Sequence, residues 1–90
     1  MPERRVVVGS KVGLHARPAA LFVQAAARQP VKVTIAKDGK PPADAKSILA
    51  VLGLDVRGGE EVVLAAEGDG AEQALEDLAA LVARDLDAEP

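Results

Sequence analysis

One seven-residue segment, VKVTIAK, constrains the fold more than any other part of the chain. Its apolar residues Val31, Val33 and Ile35 alternate strictly with polar ones. Because successive side chains of a β-strand point to opposite faces, this alternation predicts a strand with one buried and one exposed face. A sheet of such strands needs a covering layer on one side only, and helices packed on that side would supply it.

Two other segments, RRVVVGS near the start of the chain and RGGEEVVLAAEG in its second half, also have the character of strands. Both are rich in valine and bounded by turn residues, as strands commonly are. After VKVTIAK, the pair Asp38-Gly39 predicts a hairpin turn. The returning segment carries Pro41 and Pro42, which cannot donate ladder hydrogen bonds, so we expect a short edge strand there.

Three helices are predicted from apolar periodicity and from their end signals. The first ends before Pro30, and the second is short, with Ser47 as its N-cap and Gly53 as its stop. Asp69 and Glu72 form a variant of the capping box at the start of the third. The apolar stripes are Ala19, Phe22, Val23, Ala26 and Ala27 in the first helix and Ala71, Leu75, Leu78, Val82 and Leu86 in the third.

The predicted element order is therefore β-α-β-β-α-β-α, which indicates an α+β fold with one sheet and helices on one of its faces. The chain has 90 residues, of which 49% are hydrophobic and 28% charged. That length supports one hydrophobic core and is too short for two, so we expect a single domain over residues 1–90.

Composition excludes several classes of function. The chain has one aromatic residue and a net charge of -3, so it lacks both the stacking platforms and the basic surface that nucleic-acid binding uses. It has no cysteine and one histidine, which argues against disulfides and against a zinc site. We therefore expect no nucleic-acid partner, no metal and no cofactor.

The start of the chain carries no targeting signal that we can identify. Glu3, Arg4 and Arg5 are charged, and the apolar run from Val6 to Val8 is far shorter than the core of a signal peptide or a membrane span. We therefore expect a cytoplasmic protein without membrane insertion, and we expect it to be monomeric.

The single histidine, His15, lies in GLHARPAA, two residues before Arg17 and three before Pro18. Proline is tolerated in a helix only in the first turn, so Pro18 predicts that the first helix begins at about Ala16 with His15 at or next to its N-cap. Histidine is not a favoured capping residue. A poor cap at this position is consistent with a helix N-terminus that is reserved for a ligand.

The chemistry of this segment favours a phosphoryl group. A helix N-terminus binds anions through its amide N–H groups and its dipole, and Arg17 adds a permanent positive charge. The same field disfavours the imidazolium and so favours the neutral, nucleophilic ring of His15. Gly13 allows the preceding loop to bend close to the ring.

No second catalytic group accompanies His15. We find no carboxylate, serine or cysteine close to it in sequence that would suggest a hydrolase triad, and no phosphate-binding loop of the Walker type. One nucleophile with an anion site indicates a covalent carrier rather than a turnover enzyme. A single histidine in a small domain is nevertheless more often incidental than functional, and a ligand-binding or assembly domain with an ordinary His15 stays open at this point.

Three segments, GLHARPAA, AKSILAVLGL and GGEEVVLAAEG, together resemble the HPr family, the histidine-containing phosphocarrier proteins of the bacterial phosphoenolpyruvate:sugar phosphotransferase system. The resemblance extends from about Val6 to Val82. It implies an open-faced β-sandwich, in which three helices cover one face of a four-stranded antiparallel sheet with strand order 1-4-2-3. It also implies that His15 accepts a phosphoryl group on Nδ1 from Enzyme I and passes it to a sugar-specific enzyme IIA, with Arg17 beside the phosphohistidine.

Ser47 matches a second functional position of the family. In members from many Gram-positive bacteria, the resemblance implies that this serine is phosphorylated by HPr kinase/phosphorylase, which slows transfer to the histidine and permits docking to a transcriptional regulator. Capping alone would also explain a serine at this position, and both interpretations remain open.

A docking surface is expected on the short second helix. If Val51 and Leu54 face the core, then Ile48, Leu49 and Leu52 face outward, and exposed apolar residues beside an anion site suggest a contact with partners. The resemblance implies the same surface and adds two residues of the first helix to it, Ala20 and Gln24. The alternative is a structural role in which Ile48 lies in the core.

Two departures from the family pattern are visible. An extra residue precedes Ser47, next to the two prolines, and Asp55 stands where the family commonly has glycine, so the loop after the second helix is expected to differ. A regulatory relay parallel to sugar transport would use the same chemistry at His15, and the sequence does not separate it from the sugar relay.

Overall fold

Four strands and three helices make up residues 2–84, the part of the chain that the computed structural model describes. None of these helices is long and apolar enough to cross a membrane. The elements are β1 (Glu3–Val7), α1 (Ala16–Ala27), β2 (Lys32–Ala36), β3 (Ala43–Asp44), α2 (Ile48–Gly53), β4 (Glu61–Glu67) and α3 (Ala71–Ala83).

The four strands form one antiparallel sheet in the order β1-β4-β2-β3, which confirms the predicted topology. The long strand β4 lies inside the sheet, where Leu64 is opposite Arg4 of β1 and Ile35 of β2. The predicted edge strand is also confirmed: β3 has two residues and follows directly after Pro41 and Pro42.

The three helices cover one face of the sheet, as the alternation in β2 predicts. Val33 and Ile35 of β2 are fully buried, whereas Lys32 is exposed and Thr34 is partly exposed. The only aromatic side chain, Phe22 of α1, lies wholly inside the core. It is accompanied there by Val62, Leu64 and Ala66 of β4, Val51 of α2 and Ala74, Leu75, Leu78 and Val82 of α3.

The predicted cap of α3 is wrong by one residue. The N-cap is Gly70, which has φ +88° and no side-chain capping bond, and not Asp69. The turn between Gly68 and Gly70 is closed by the backbone, since the Ala71 N–H donates to the Gly68 carbonyl, and the left-handed Gly70 leads into the helix. Glu72 still lies in the first turn of α3, where its negative charge is favourable. Leu86 lies outside the described residues.

The predicted end of α2 is close to the observed one. Gly53 is the last helical residue, and Leu54 is the C-cap. The left-handed residue that follows is Asp55, with φ +51°, at the position where the family commonly has glycine. Aspartate adopts this conformation more readily than most residues, because its short polar side chain bonds locally.

Candidate functional site

His15 is the N-cap of α1, as the position of Pro18 in the sequence predicts. Its backbone is extended, with φ -128° and ψ 160°, and its side chain makes no capping hydrogen bond. The ring is 39% exposed. The imidazole is therefore within reach of a partner, at a helix N-terminus that it does not cap itself.

The loop before His15 is held against the backbone of residues 56–58. Leu14 is buried, and its N–H donates to the Val56 carbonyl at 3.0 Å. Gly13 has φ +75°, and a Cβ there would collide with that same carbonyl. The expected close approach at Gly13 is thus made to the Val56 backbone. This contact fixes the position of the chain just before His15.

Ala16, the first residue of α1, is also left-handed, with φ +49°. A residue other than glycine in this conformation costs about 1–2 kcal/mol. The turn at Ala16 joins the extended backbone of His15 to the helix. It is local strain directly beside His15, and nothing in the sequence indicates it, because no glycine stands there.

The first turn of α1 has the features of an anion site. It contains no acidic residue, and Arg17 is exposed at its second position. Pro18 is buried at its third position, where its missing N–H removes no helical bond. An anion bound at this end would meet both the helix dipole and a guanidinium group.

Sequence reasoning missed one member of the site, the carboxylate of Asp55. Its Oδ1 lies 3.4 Å from Nε2 of His15, and its Oδ2 lies 3.4 Å from Nη2 of Arg57. Asp55 is 40 positions after His15 in the chain, so no local motif joins them. The available signal was the departure from glycine at this position, which we interpreted as a difference in the loop only.

Positive charges hold Asp55 in its ionised form. The guanidinium of Arg57 lowers the pKa of the Asp55 carboxyl by its charge and its hydrogen bond, and Lys37 and Lys40 add to this effect. Asp55 is therefore negatively charged at neutral pH, and its carboxylate lies next to Nε2 of the His15 ring.

A hydrogen-bond network fixes the backbone that carries Asp55. The Nζ of Lys37 donates to the Asp55 carbonyl oxygen at 2.7 Å and to Oε1 of Glu60 at 2.9 Å. The same Oε1 accepts the Arg57 N–H at 2.7 Å. The Lys37 bond is the main cause of a lowered pKa at Glu60. The loop is thereby tied to the end of β2.

Ser47 is the N-cap of α2, which confirms the prediction of its structural role. Its Oγ accepts the Ala50 N–H at 3.3 Å, and its carbonyl accepts the Val51 N–H at 3.0 Å. The residue is partly exposed. The hydroxyl thus has a structural role and is also near the surface.

Most of the residues predicted to form a docking surface on α2 are exposed, as that prediction requires. Ile48 is 38% exposed and Leu49 80% exposed, so the alternative with Ile48 in the core is wrong. Leu52 is only partly exposed because it packs against the core. On α1, Ala20 is partly exposed and Gln24 exposed. We call these five residues the α1–α2 surface.

Val12, 51% exposed in the loop before His15, is a further exposed apolar residue, which the sequence analysis did not single out.

Comparison with known proteins identifies the family. Residues 2–84 match the family model described as the PTS HPr component phosphorylation site. The phosphocarrier protein HPr of Streptomyces coelicolor is 59% identical over 90 residues, which cover all of this chain and 97% of that protein. The HPr-like protein Crh of Bacillus subtilis is 48% identical over 86 residues, which cover 96% of this chain and 100% of that protein.

Solved structures agree with this result. The HPr-C-His structure from Thermoanaerobacter tengcongensis superposes with a TM-score of 0.90 at 41% identity and full coverage of both chains. An HPr dimer from the same organism gives a TM-score of 0.69 at 44% identity, covering 91% of this chain and 93% of that chain. The open-faced sandwich with His15 at the N-terminus of α1, together with these matches, places the chain among the phosphocarrier proteins. The chain belongs to the HPr family of the phosphotransferase system.

Proposed function

We propose that this chain carries a phosphoryl group on Nδ1 of His15 between Enzyme I and a sugar-specific enzyme IIA, and that it is not a turnover enzyme. The observation that supports this most directly is the exposed imidazole of His15 at the N-terminus of α1, with Arg17 in the first turn. The Nδ1 lone pair forms the new N–P bond. The bond from phosphorus to the donor atom of Enzyme I breaks, and its electron pair stays on the donor.

The N-terminus of α1 would stabilise the transferred group. A phosphoryl group is dianionic or nearly so at neutral pH, and the positive end of a helix dipole favours such a charge. Arg17 presents planar N–H donors that match phosphoryl oxygens. Arg17 is thus assigned to charge stabilisation and His15 to covalent attachment.

The test is a phosphorylation assay with Enzyme I, magnesium and phosphoenolpyruvate. We expect one phosphoryl group per chain, in an adduct that is labile in acid and stable in alkali, as an N–P bond is. Adding a sugar-specific enzyme IIA should discharge it. No adduct would refute the carrier function, and an adduct that enzyme IIA does not remove would favour a regulatory relay parallel to sugar transport.

The α1–α2 surface is proposed as the contact with Enzyme I and enzyme IIA. Leu49 is the most exposed of its apolar residues, and such a side chain near the centre of an interface can contribute strongly to binding. We expect Leu49→Gln to raise the KM of Enzyme I for this protein by about tenfold, equivalent to about 1.4 kcal/mol.

Val7 provides the matched control for Leu49. It is 54% exposed in β1, outside the α1–α2 surface, so Val7→Gln removes a comparable apolar side chain elsewhere. The KM of Enzyme I for Val7→Gln should equal its KM for the wild type. Equal KM values for both variants would exclude Leu49 from the contact.

Ser47 is proposed as a site of regulatory phosphorylation by HPr kinase/phosphorylase, with docking to a transcriptional regulator as its consequence. The added group carries about -1.5 to -2 charges at the N-terminus of α2, where it stabilises the helix and repels acidic partner surfaces. With ATP and the kinase we expect an acid-stable adduct that is absent in Ser47→Ala, and slower transfer from Enzyme I. An adduct that persists in Ser47→Ala would remove this residue from the site.

We also propose a cytoplasmic monomer. A single chain forms the complete hydrophobic core, because its three helices pack on its own four-stranded sheet. Sedimentation velocity at micromolar concentration should give the mass of one chain. A dimer mass would instead match the HPr dimer of Thermoanaerobacter tengcongensis.

A further inference from the structure

Asp55 lies against the side of the His15 ring that the proposed chemistry does not use. Its Oδ1 is 3.4 Å from Nε2, whereas the phosphoryl group is assigned to Nδ1. A neutral imidazole carries its one proton on either nitrogen, and a neighbouring charge decides between the two positions. A carboxylate next to Nε2 favours an N–H there and disfavours a lone pair.

We propose that Asp55 is a positioning residue that keeps the proton of His15 on Nε2 and thereby leaves the Nδ1 lone pair available to the phosphoryl group. The inference rests on the proposed carrier function and adds to it a group that selects the reacting nitrogen. It follows from the contact of Asp55 with Nε2 and from the position of Asp55 in a loop that is held on both sides.

The same contact would act again after phosphoryl transfer. When the Nδ1 lone pair of an Nε2–H ring forms the N–P bond, the ring gains one positive charge, and Asp55 lies beside it to balance that charge. In the second transfer, the N–P bond breaks and its electron pair returns to Nδ1. Because the proton has stayed on Nε2, the ring leaves as neutral imidazole rather than as imidazolate, which is a much poorer leaving group.

The surroundings of Asp55 suit this role. Arg57 neutralises one carboxylate oxygen and leaves the other directed at His15, so the negative charge next to the site is partly balanced. Lys37 bonds to the Asp55 carbonyl and not to its carboxylate. Asp55 has a left-handed backbone, with φ +51°, and follows directly after the C-cap of α2. The backbone of the loop thus positions the Asp55 carboxylate, and the place of His15 as the N-cap of α1 positions its ring.

Asp55→Asn is the sharpest test, because asparagine has the same shape, tolerates a left-handed backbone and carries no charge. Asp55→Gly removes the side chain and keeps the backbone conformation. Nitrogen-15 NMR of the His15 ring in the unphosphorylated protein reports which nitrogen carries the proton. We expect the Nε2–H form to predominate in the wild type and the population of the Nδ1–H form to rise in both variants.

Transfer kinetics provide the second measurement. We expect both variants to discharge phosphohistidine to enzyme IIA more slowly, by roughly 2- to 5-fold, the range for a lost charge contact at a half-exposed site, with KM unchanged. Asp69→Asn removes an exposed carboxylate from the loop before α3 and should match the wild type in both measurements. A rise in KM alone would assign Asp55 to partner binding and overturn the proposal.

The two proposals can fail separately. The ring tautomer is measured without any phosphoryl donor, so it judges Asp55 even if Enzyme I does not phosphorylate the chain. If the tautomer populations in Asp55→Asn and Asp55→Gly equal those of the wild type, Asp55 does not position the proton, whatever the outcome of the phosphorylation assay.

Discussion

Replacing His15 by alanine is expected to abolish the acid-labile phosphoryl adduct completely. The chain has no other histidine and no cysteine, so no second imidazole or thiolate can accept the phosphoryl group. Mass spectrometry after incubation with Enzyme I, magnesium and phosphoenolpyruvate should show unmodified His15→Ala protein beside fully modified wild type. Any acid-labile adduct on His15→Ala would place the acceptor elsewhere and contradict the assignment.

The loss in His15→Ala should be chemical and not structural. The His15 side chain makes no capping hydrogen bond and is half-exposed, so its removal is expected to change the free energy of unfolding by less than about 1 kcal/mol. Urea denaturation and the amide NMR spectrum measure this directly. A folded, inactive His15→Ala protein separates the role of the ring from the integrity of α1.

Among the proposed substitutions, replacing Gly13 by alanine is expected to lower the free energy of unfolding most. At φ +75°, any Cβ is strained, and here it would also meet the Val56 carbonyl that accepts the Leu14 N–H. A rigid backbone atom cannot move aside as a side chain can. We expect Gly13→Ala to lower the free energy of unfolding by about 3 kcal/mol or more, measured by urea denaturation.

Gly39 separates the two causes of that effect. It lies in the hairpin turn after β2 with φ +82°, and an added Cβ there would contact nothing within 4 Å. Gly39→Ala therefore carries the conformational strain without the collision, and we expect a loss of only about 1–2 kcal/mol. Similar losses in Gly13→Ala and Gly39→Ala would show that the contact with Val56 does not matter.

The fold could be predicted from the sequence because its determinants are local. Alternation in β2 sets the buried face of the strand, and the two prolines before β3 limit that strand to an edge. Pro18 places the start of α1, and with it the N-cap position of His15, to within a residue. Each of these features acts through covalent geometry or through neighbours a few positions apart, which a single sequence displays.

The parts that could not be predicted depend on the backbone in three dimensions. The contact of His15 with Asp55 arises because α2 ends beside the start of α1, and no spacing in the sequence encodes that distance. The misplaced cap at Asp69 has a different origin. Gly70 can open α3 through its own left-handed conformation, and an aspartate one position earlier is then not needed as a cap.

Because no side chain caps α1, a phosphoryl group on His15 could also complete the hydrogen bonding of the first turn of that helix. In the proposed phosphorylated state, the phosphoryl oxygens would take the place of a capping group, and such a group contributes about 1 kcal/mol. Any stabilisation that α1 gains from the phosphoryl group is lost when the group is transferred. Together with the charge of Arg17, this contribution would stabilise the phosphohistidine between the two transfers.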